Sequence, residues 1–151
     1  MANVIDNNHI PAIYRLMKRL YVRELSEVMD QYDLTRMEMD VLMFLECNPG
    51  MDTAAEIVSA RCLTKSHVSA AVDHLTELGL LTQRRDEYNR RKIHLTCTPA
   101  AKQILEQGRI ARDNIAALLT EGVDEAALEQ MFATLNMIAK NAEAALNKHE
   151  K

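Results

Sequence analysis

Between Thr64 and Thr96 the apolar residues change their period at a single glycine. Before Gly79 they recur as Val68, Ala71, Val72 and Leu75, the i, i+3, i+4, i+7 spacing of one helix face. After it, Ile93 and Leu95 alternate with polar residues, as in a strand with one covered face. A helix must therefore stop at Gly79, which can take the left-handed conformation that lets Leu80 pack back. A ribbon must follow, with strands Leu80 to Arg85 and Lys92 to Thr96 around a turn from Asp86 to Arg91. The helix, capped at Thr64, turns Lys65, Ser66, Ser69, Ala70 and Asp73 away from its apolar stripe and carries His67 and His74 at the sides. Ile93 and Leu95 are expected to point inward.

The flanking sequence reads as helices. Ile10, Ile13, Met17, Leu20 and Val28 set an amphipathic helix over residues 10 to 30, with Pro11 in its first turn. Thr35-Arg36-Met37-Glu38 and Thr53-Ala54-Ala55-Glu56 are two capping boxes. The first opens a helix that Asn48-Pro49-Gly50 ends; the second opens a short one with Ala55, Ile57 and Val58 as its apolar members. Thr98-Pro99 supplies an N-cap and first-turn proline for a helix to about Leu119. Asp124 caps a last one through Leu128, Met131, Phe132, Leu135, Ile138, Ala142 and Leu146. Aromatic residues make up only 4% of the chain and there are four glycines, which favours helix over sheet. The terminal helices carry more apolar surface than one copy can use, so they are expected to pack with each other and across a two-fold axis.

At 151 residues the chain suits one compact domain with a genuine core, in which the nine methionines can fill gaps or line an adaptable pocket. Its charge is segregated. Residues 61 to 92 hold seven basic groups against four acidic ones, a net +3, which leaves −7 for the rest of a chain totalling −4. One basic face on an acidic body suits a protein that meets phosphates on that side alone. Cys47, Cys62 and Cys97 are widely spaced, which points to a reducing compartment; Cys47 and Cys97 read as small core residues, and Cys62, beside Arg61, as the candidate for thiol reactivity. No basic segment leads into an apolar run and no apolar stretch is long enough to span a bilayer, so a cytoplasmic protein without a membrane partner is expected. The histidines and cysteines form no local ligand pair, and no phosphate loop, nucleophile elbow or paired carboxylates are present. Neither an enzyme nor a bound metal or cofactor is expected.

A short helix, a turn and a capped helix make a helix-turn-helix pattern, and the arginine-bearing ribbon makes it much more specific. From Leu34-Thr35 through A-A-E-I-V, L-T-K-S-H-V-S-A-A-V-D-H-L-T-E-L-G-L-L, R-R-D-E-Y-N-R-R and I-H-L-T, the sequence resembles the MarR family of winged-helix transcriptional regulators. The resemblance implies a mostly α fold, a winged helix-turn-helix with a two-stranded wing over residues 35 to 97. Residues 1 to 34 and 98 to 151 would form a helical dimerisation lobe. It also implies a homodimer on double-stranded DNA and a small-molecule effector between the lobes.

Carried over by position, Ser66, His67, Ser69 and Ala70 would face the major groove, with Lys65 beside them. The family often has arginine where Ala70 stands, so one charged contact is lost. The family's Asp-x-Arg wing motif appears as Asn89-Arg90-Arg91, which places Arg90 or Arg91 in the minor groove with Arg84 alongside. Two recognition helices would enter successive major grooves about 34 to 36 Å apart, on an inverted-repeat operator, most simply as a repressor. Tyr14, Met17, Tyr21 and Met43 are candidate ligand contacts, and core packing explains them equally well. The alternatives are a degenerate winged helix that binds protein, for which Ala70, His74 and Asn89 are the hints, or a redox- or metal-responsive regulator.

Overall fold

The computed structural model describes residues 9–149. In chain order the elements are α1 (His9–Gln31), α2 (Arg36–Cys47), α3 (Ala54–Arg61), α4 (Lys65–Glu77), β1 (Leu81–Arg85), β2 (Ile93–Cys97), a 3₁₀ turn (Pro99–Ala101), α5 (Lys102–Thr120) and α6 (Glu125–His149). The strands form one antiparallel ribbon, registered from Leu81 opposite Cys97 to Arg85 opposite Ile93. The chain divides into two compact units, one ending at Ile115 and one beginning at Ala116.

The first unit is built on a core of α2, α4 and the base of the ribbon. Val41, Leu42 and Phe44 of α2, Ile57 of α3, Val68 and Leu75 of α4, Leu81 of β1 and Ile104 of α5 are all buried. Both capping boxes form, with Thr35 and Thr53 each accepting from the backbone of the glutamate three residues on, whose carboxylate returns to the threonine N–H. Thr64 and Thr98 occupy N-cap positions, but neither side chain caps its helix. The Thr98 hydroxyl donates instead to the Gly79 carbonyl, at 2.6 Å.

At the end of α4 the backbone closes as the apolar pattern requires. Gly79 has φ +70°, its N–H meets the Thr76 carbonyl at 3.0 Å, and the Leu80 N–H meets the Leu75 carbonyl at 2.9 Å. This is a Schellman closure, with Leu80 packed on the core.

Three inward assignments fail. Ile93 is exposed although Leu95 is 3% exposed; it pairs with Arg85 at the far end of the ribbon, about 7 Å beyond Leu95 and away from the base that joins the core. Ala55 is exposed and Ala54 takes the half-buried place against the core, since the first turn of α3 is rotated by one residue from the expected face. Cys47 is exposed at the end of α2, where its sulfur accepts from Arg112 Nη1 at 2.7 Å.

Helix α5 approaches α2 closely at Gly108. A β-carbon there would lie 2.5 Å from Met39 Cε and 2.6 Å from Met43 Sδ. Gly108→Val is expected to destabilise the first unit by roughly 1–3 kcal/mol through overpacking. Gly108→Ala should cost far less, because the thioether ends can yield and alanine gains about 1 kcal/mol of helix propensity over glycine. Urea denaturation of the two variants checks the difference.

On α1 only Leu25 and Val28 are buried, whereas Ile10, Ile13, Tyr14, Leu16 and Met17 are exposed. In the second unit Asp124 caps α6 by accepting from the Ala127 N–H at 2.8 Å. Met131, Phe132, Leu135, Ile138 and Leu146 of α6 are between 45% and 69% exposed. Among the described residues no helix is long and apolar enough to cross a membrane.

Candidate nucleic-acid interface

Burial of Val68, Ala71, Val72 and Leu75 fixes the rotation of α4. Lys65, Ser66, His67, Ser69, Ala70 and Asp73 consequently form one exposed strip with nothing packed over it. The small side chains of Ser66, Ser69 and Ala70 within it leave a helix surface that can approach a groove closely. The ribbon is tied to this helix by Gln83 Nε2, which donates to Thr76 Oγ1 at 3.1 Å, and by Thr98, whose N–H donates to the Leu80 carbonyl at 3.0 Å.

The turn between the strands is organised by two short polar side chains. Asp86 Oδ1 accepts the N–H groups of Tyr88 and Asn89 at 2.8 and 2.7 Å. Asn89 Oδ1 accepts the Arg91 N–H at 3.1 Å. The amide in place of a carboxylate therefore still shapes the turn. Arg84, Arg85, Arg90, Arg91 and Lys92 are all exposed on this ribbon, so its cationic groups project from a backbone whose shape does not depend on them.

Two histidines join the segments that carry the interface. His74 Nδ1, in the last turn of α4, lies 2.7 Å from Oε1 of Glu38 on α2. Burial would raise the Glu38 carboxyl, but hydrogen bonds from Thr35 and His74 outweigh it and hold the group below its ordinary range. Bonding to Glu38 raises His74 above the ordinary imidazole value. The stability due to His74 is thus present at low pH and lost as pH rises through its raised value, and that due to Glu38 is lost as pH falls through its lowered one. The tie is complete only between those limits.

His94 on β2 is placed more unusually. Its Nδ1 lies 2.8 and 2.9 Å from the two carboxylate oxygens of Asp52, in the loop between α2 and α3, and its Nε2 lies 3.0 Å from Asp86 Oδ2. The Leu95 N–H beside it donates to the Asp52 carbonyl at 2.7 Å. Sequence reasoning missed this group, since Asp52 and His94 are 42 positions apart. It also missed Arg15, Lys18, Arg19 and Arg23 on α1, which with Arg36 line a depression of about 410 Å³. Their helical spacing was the available signal.

The four candidate ligand contacts do not line that depression or the cleft of about 510 Å³ between α1 and α5. Tyr14 and Met17 are exposed, Met43 is buried against Gly108, and Tyr21 is half-buried beside Asp40, with its hydroxyl pushed up to about 12 first by burial and then by that carboxylate. Cys62 is exposed at the left-handed end of α3, and burial pushes the Cys97 thiol up to about 11. Among the described residues no group of three or more His, Cys, Asp or Glu side chains is arranged to hold a metal ion.

A sequence profile described as MarR family matches residues 32–92, the span from the end of α1 through the turn of the ribbon. Over that span, which carries the helix-turn-helix and the ribbon, the chain is similar to the MarR family. Solved structures of MarR-family regulators share its fold. One from Silicibacter pomeroyi is 20% identical with a TM-score of 0.76, covering 93% of this chain and 94% of its own. S. aureus MepR, solved in complex with DNA, is 20% identical with a TM-score of 0.70 over 87% of this chain and 96% of that one. Bordetella bronchiseptica BpsR, whose DNA binding is regulated by 6-hydroxynicotinic acid, is 19% identical with a TM-score of 0.66 over 91% and 98%. No curated protein matches the chain.

Proposed function

We propose that this protein is a homodimeric, sequence-selective duplex-DNA-binding regulator, acting most simply as a repressor on an inverted-repeat operator. The observation that carries the reading is the joining of an exposed, small-residue helix face to a ribbon bearing five cations, both fixed to one core. Ser66, His67, Ser69 and Ala70 meet base edges, Lys65 and Arg84 meet phosphates, and Arg90 or Arg91 enters the neighbouring minor groove. The segment 35–97 is the DNA-binding lobe. The terminal segments, 1–34 and 98–151, supply the dimer contacts, for which the exposed apolar faces of α1 and α6 are the support.

A small-molecule effector acts by binding more tightly to the dimer whose two heads no longer match the operator. The regulated DNA binding of BpsR supports an effector of this kind. Among the candidate contacts on α1, Tyr14 and Met17 lie within a turn of the cations around the α1–α2 depression, which favours an anionic ligand.

Selection of bound duplexes from a random pool tests the reading directly. The expected product is a two-fold symmetric site with half-sites about one helical turn apart, 34–36 Å. Recovery of unselected sequence, or of a single asymmetric half-site, would refute it.

A further inference from the structure

We infer that His94 is a positioning residue for the wing: by donating from both ring nitrogens at once, to Asp52 and to Asp86, it holds the arginine-bearing turn at a fixed angle to the helical core. This rests on the reading of the ribbon as a DNA contact and adds its regulation by pH.

Only the imidazolium form carries a proton on both nitrogens, so only that form can donate to both carboxylates. Asp86 is the pivot of the turn, since its other oxygen accepts from Tyr88 and Asn89, immediately before Arg90 and Arg91. Asp52 belongs to the loop leading into α3 and is fixed by its own carbonyl, which accepts from Leu95. The histidine therefore links the turn of the ribbon to the body of the helix-turn-helix. It is well placed to do so, with a side chain only 17% exposed.

The charged groups around it are Asp52 and Asp86, with Lys92 nearby and Arg84 directly opposite it across the ribbon. Glu56, at the start of α3, has its carboxylate engaged by the N–H and hydroxyl of Thr53. The hydrogen bonds from Asp86 and then Asp52 raise His94 above the ordinary imidazole value, while Asp86 is held down at about 2, first by His94 and then by the backbone donors of the turn. For the raised histidine, the tie is complete at low pH and is lost as pH rises through the raised value. Loss of one proton leaves a single N–H facing two carboxylates. One of them must then turn away, and the turn is released or tilted.

The test measures affinity for a mixed-sequence duplex at constant ionic strength, from about pH 6, below the ordinary imidazole value, to about pH 9. Wild type is compared with His94→Gln and Asp52→Asn. Wild-type binding is expected to weaken by about tenfold across the step, the scale of one hydrogen bond to a charged group. His94→Gln, which cannot titrate, should bind weakly throughout and lose the step. Asp52→Asn keeps the backbone bond to Leu95 and should move the step to lower pH without abolishing binding below it. The other groups of the chain are common to all three proteins, so their contributions cancel in the comparison. Identical pH profiles for wild type and Asp52→Asn would overturn the inference, even if His94→Gln were simply unstable.

An Arg90→Ala/Arg91→Ala protein in the same assay separates the two levels. If its salt dependence equals that of wild type, the ribbon does not contact DNA and both readings fall. If its salt dependence is reduced but the pH profiles coincide, only the role of His94 falls.

Discussion

Replacing Arg90 and Arg91 together by alanine is expected to weaken binding to any duplex by roughly a hundredfold or more, from two hydrogen bonds between charged groups at about 1.5–3 kcal/mol each. The logarithmic salt dependence should flatten by about 1.8, since each phosphate contact contributes about 0.9 on duplex DNA. Affinity should fall alike for operator and unrelated sequence, because on the proposed reading these side chains would reach the backbone and a degenerate groove. The folded state should not suffer. Both arginines are exposed, and the turn beneath them is held by Asp86 and Asn89, whose partners are backbone N–H groups. An unchanged melting temperature with a flattened salt plot is therefore the signature; unchanged affinity would remove the ribbon from the interface.

Charging the apolar face of α6, with Leu135→Glu and Ile138→Glu together, is expected to convert a dimer into a monomer and to lower operator affinity by about 10²–10⁴, the gain of joining two binding modules. Two carboxylates and their mirror copies would have to be dehydrated in the apolar contact, which no partner there compensates. Leu135 and Ile138 are 52% and 49% exposed in the single chain, so their loss costs a protomer little. Sedimentation separates the outcomes: a persisting dimer would assign the two-fold contact to other surfaces. Binding to an isolated half-site should survive in the monomer, which distinguishes lost pairing from a damaged head.

Features set by local physics were legible in the sequence. Both capping boxes form between residues three apart, and the Gly79 closure follows from a helix stripe that stops where only glycine fits easily. The exposed strip of α4 was legible too, since it is what remains once Val68, Ala71, Val72 and Leu75 are turned inward. Alternation, by contrast, says which side a strand residue faces and nothing about whether anything covers it; Leu95 is covered and Ile93 is not. The same limit applies to Cys47, whose neighbour Arg112 comes from a helix 65 positions away. The bond of His94 to Asp52 depends on where the α2–α3 loop lies against β2, a tertiary fact without local trace. The four cations of α1 were visible by spacing, but their meeting with Arg36 was not.

The stitch of Thr98 to Gly79 and Leu80 has a mechanical meaning. It clamps the root of the ribbon to the end of α4, so the pair behaves as one stiff tool with a single handle. Under the proposed function, retargeting such a tool to another sequence would require only new tips at Ser66, His67, Ser69 or Ala70, all of them exposed. Under the same proposal, turning it off would require no change of its shape, only a twist of the handle.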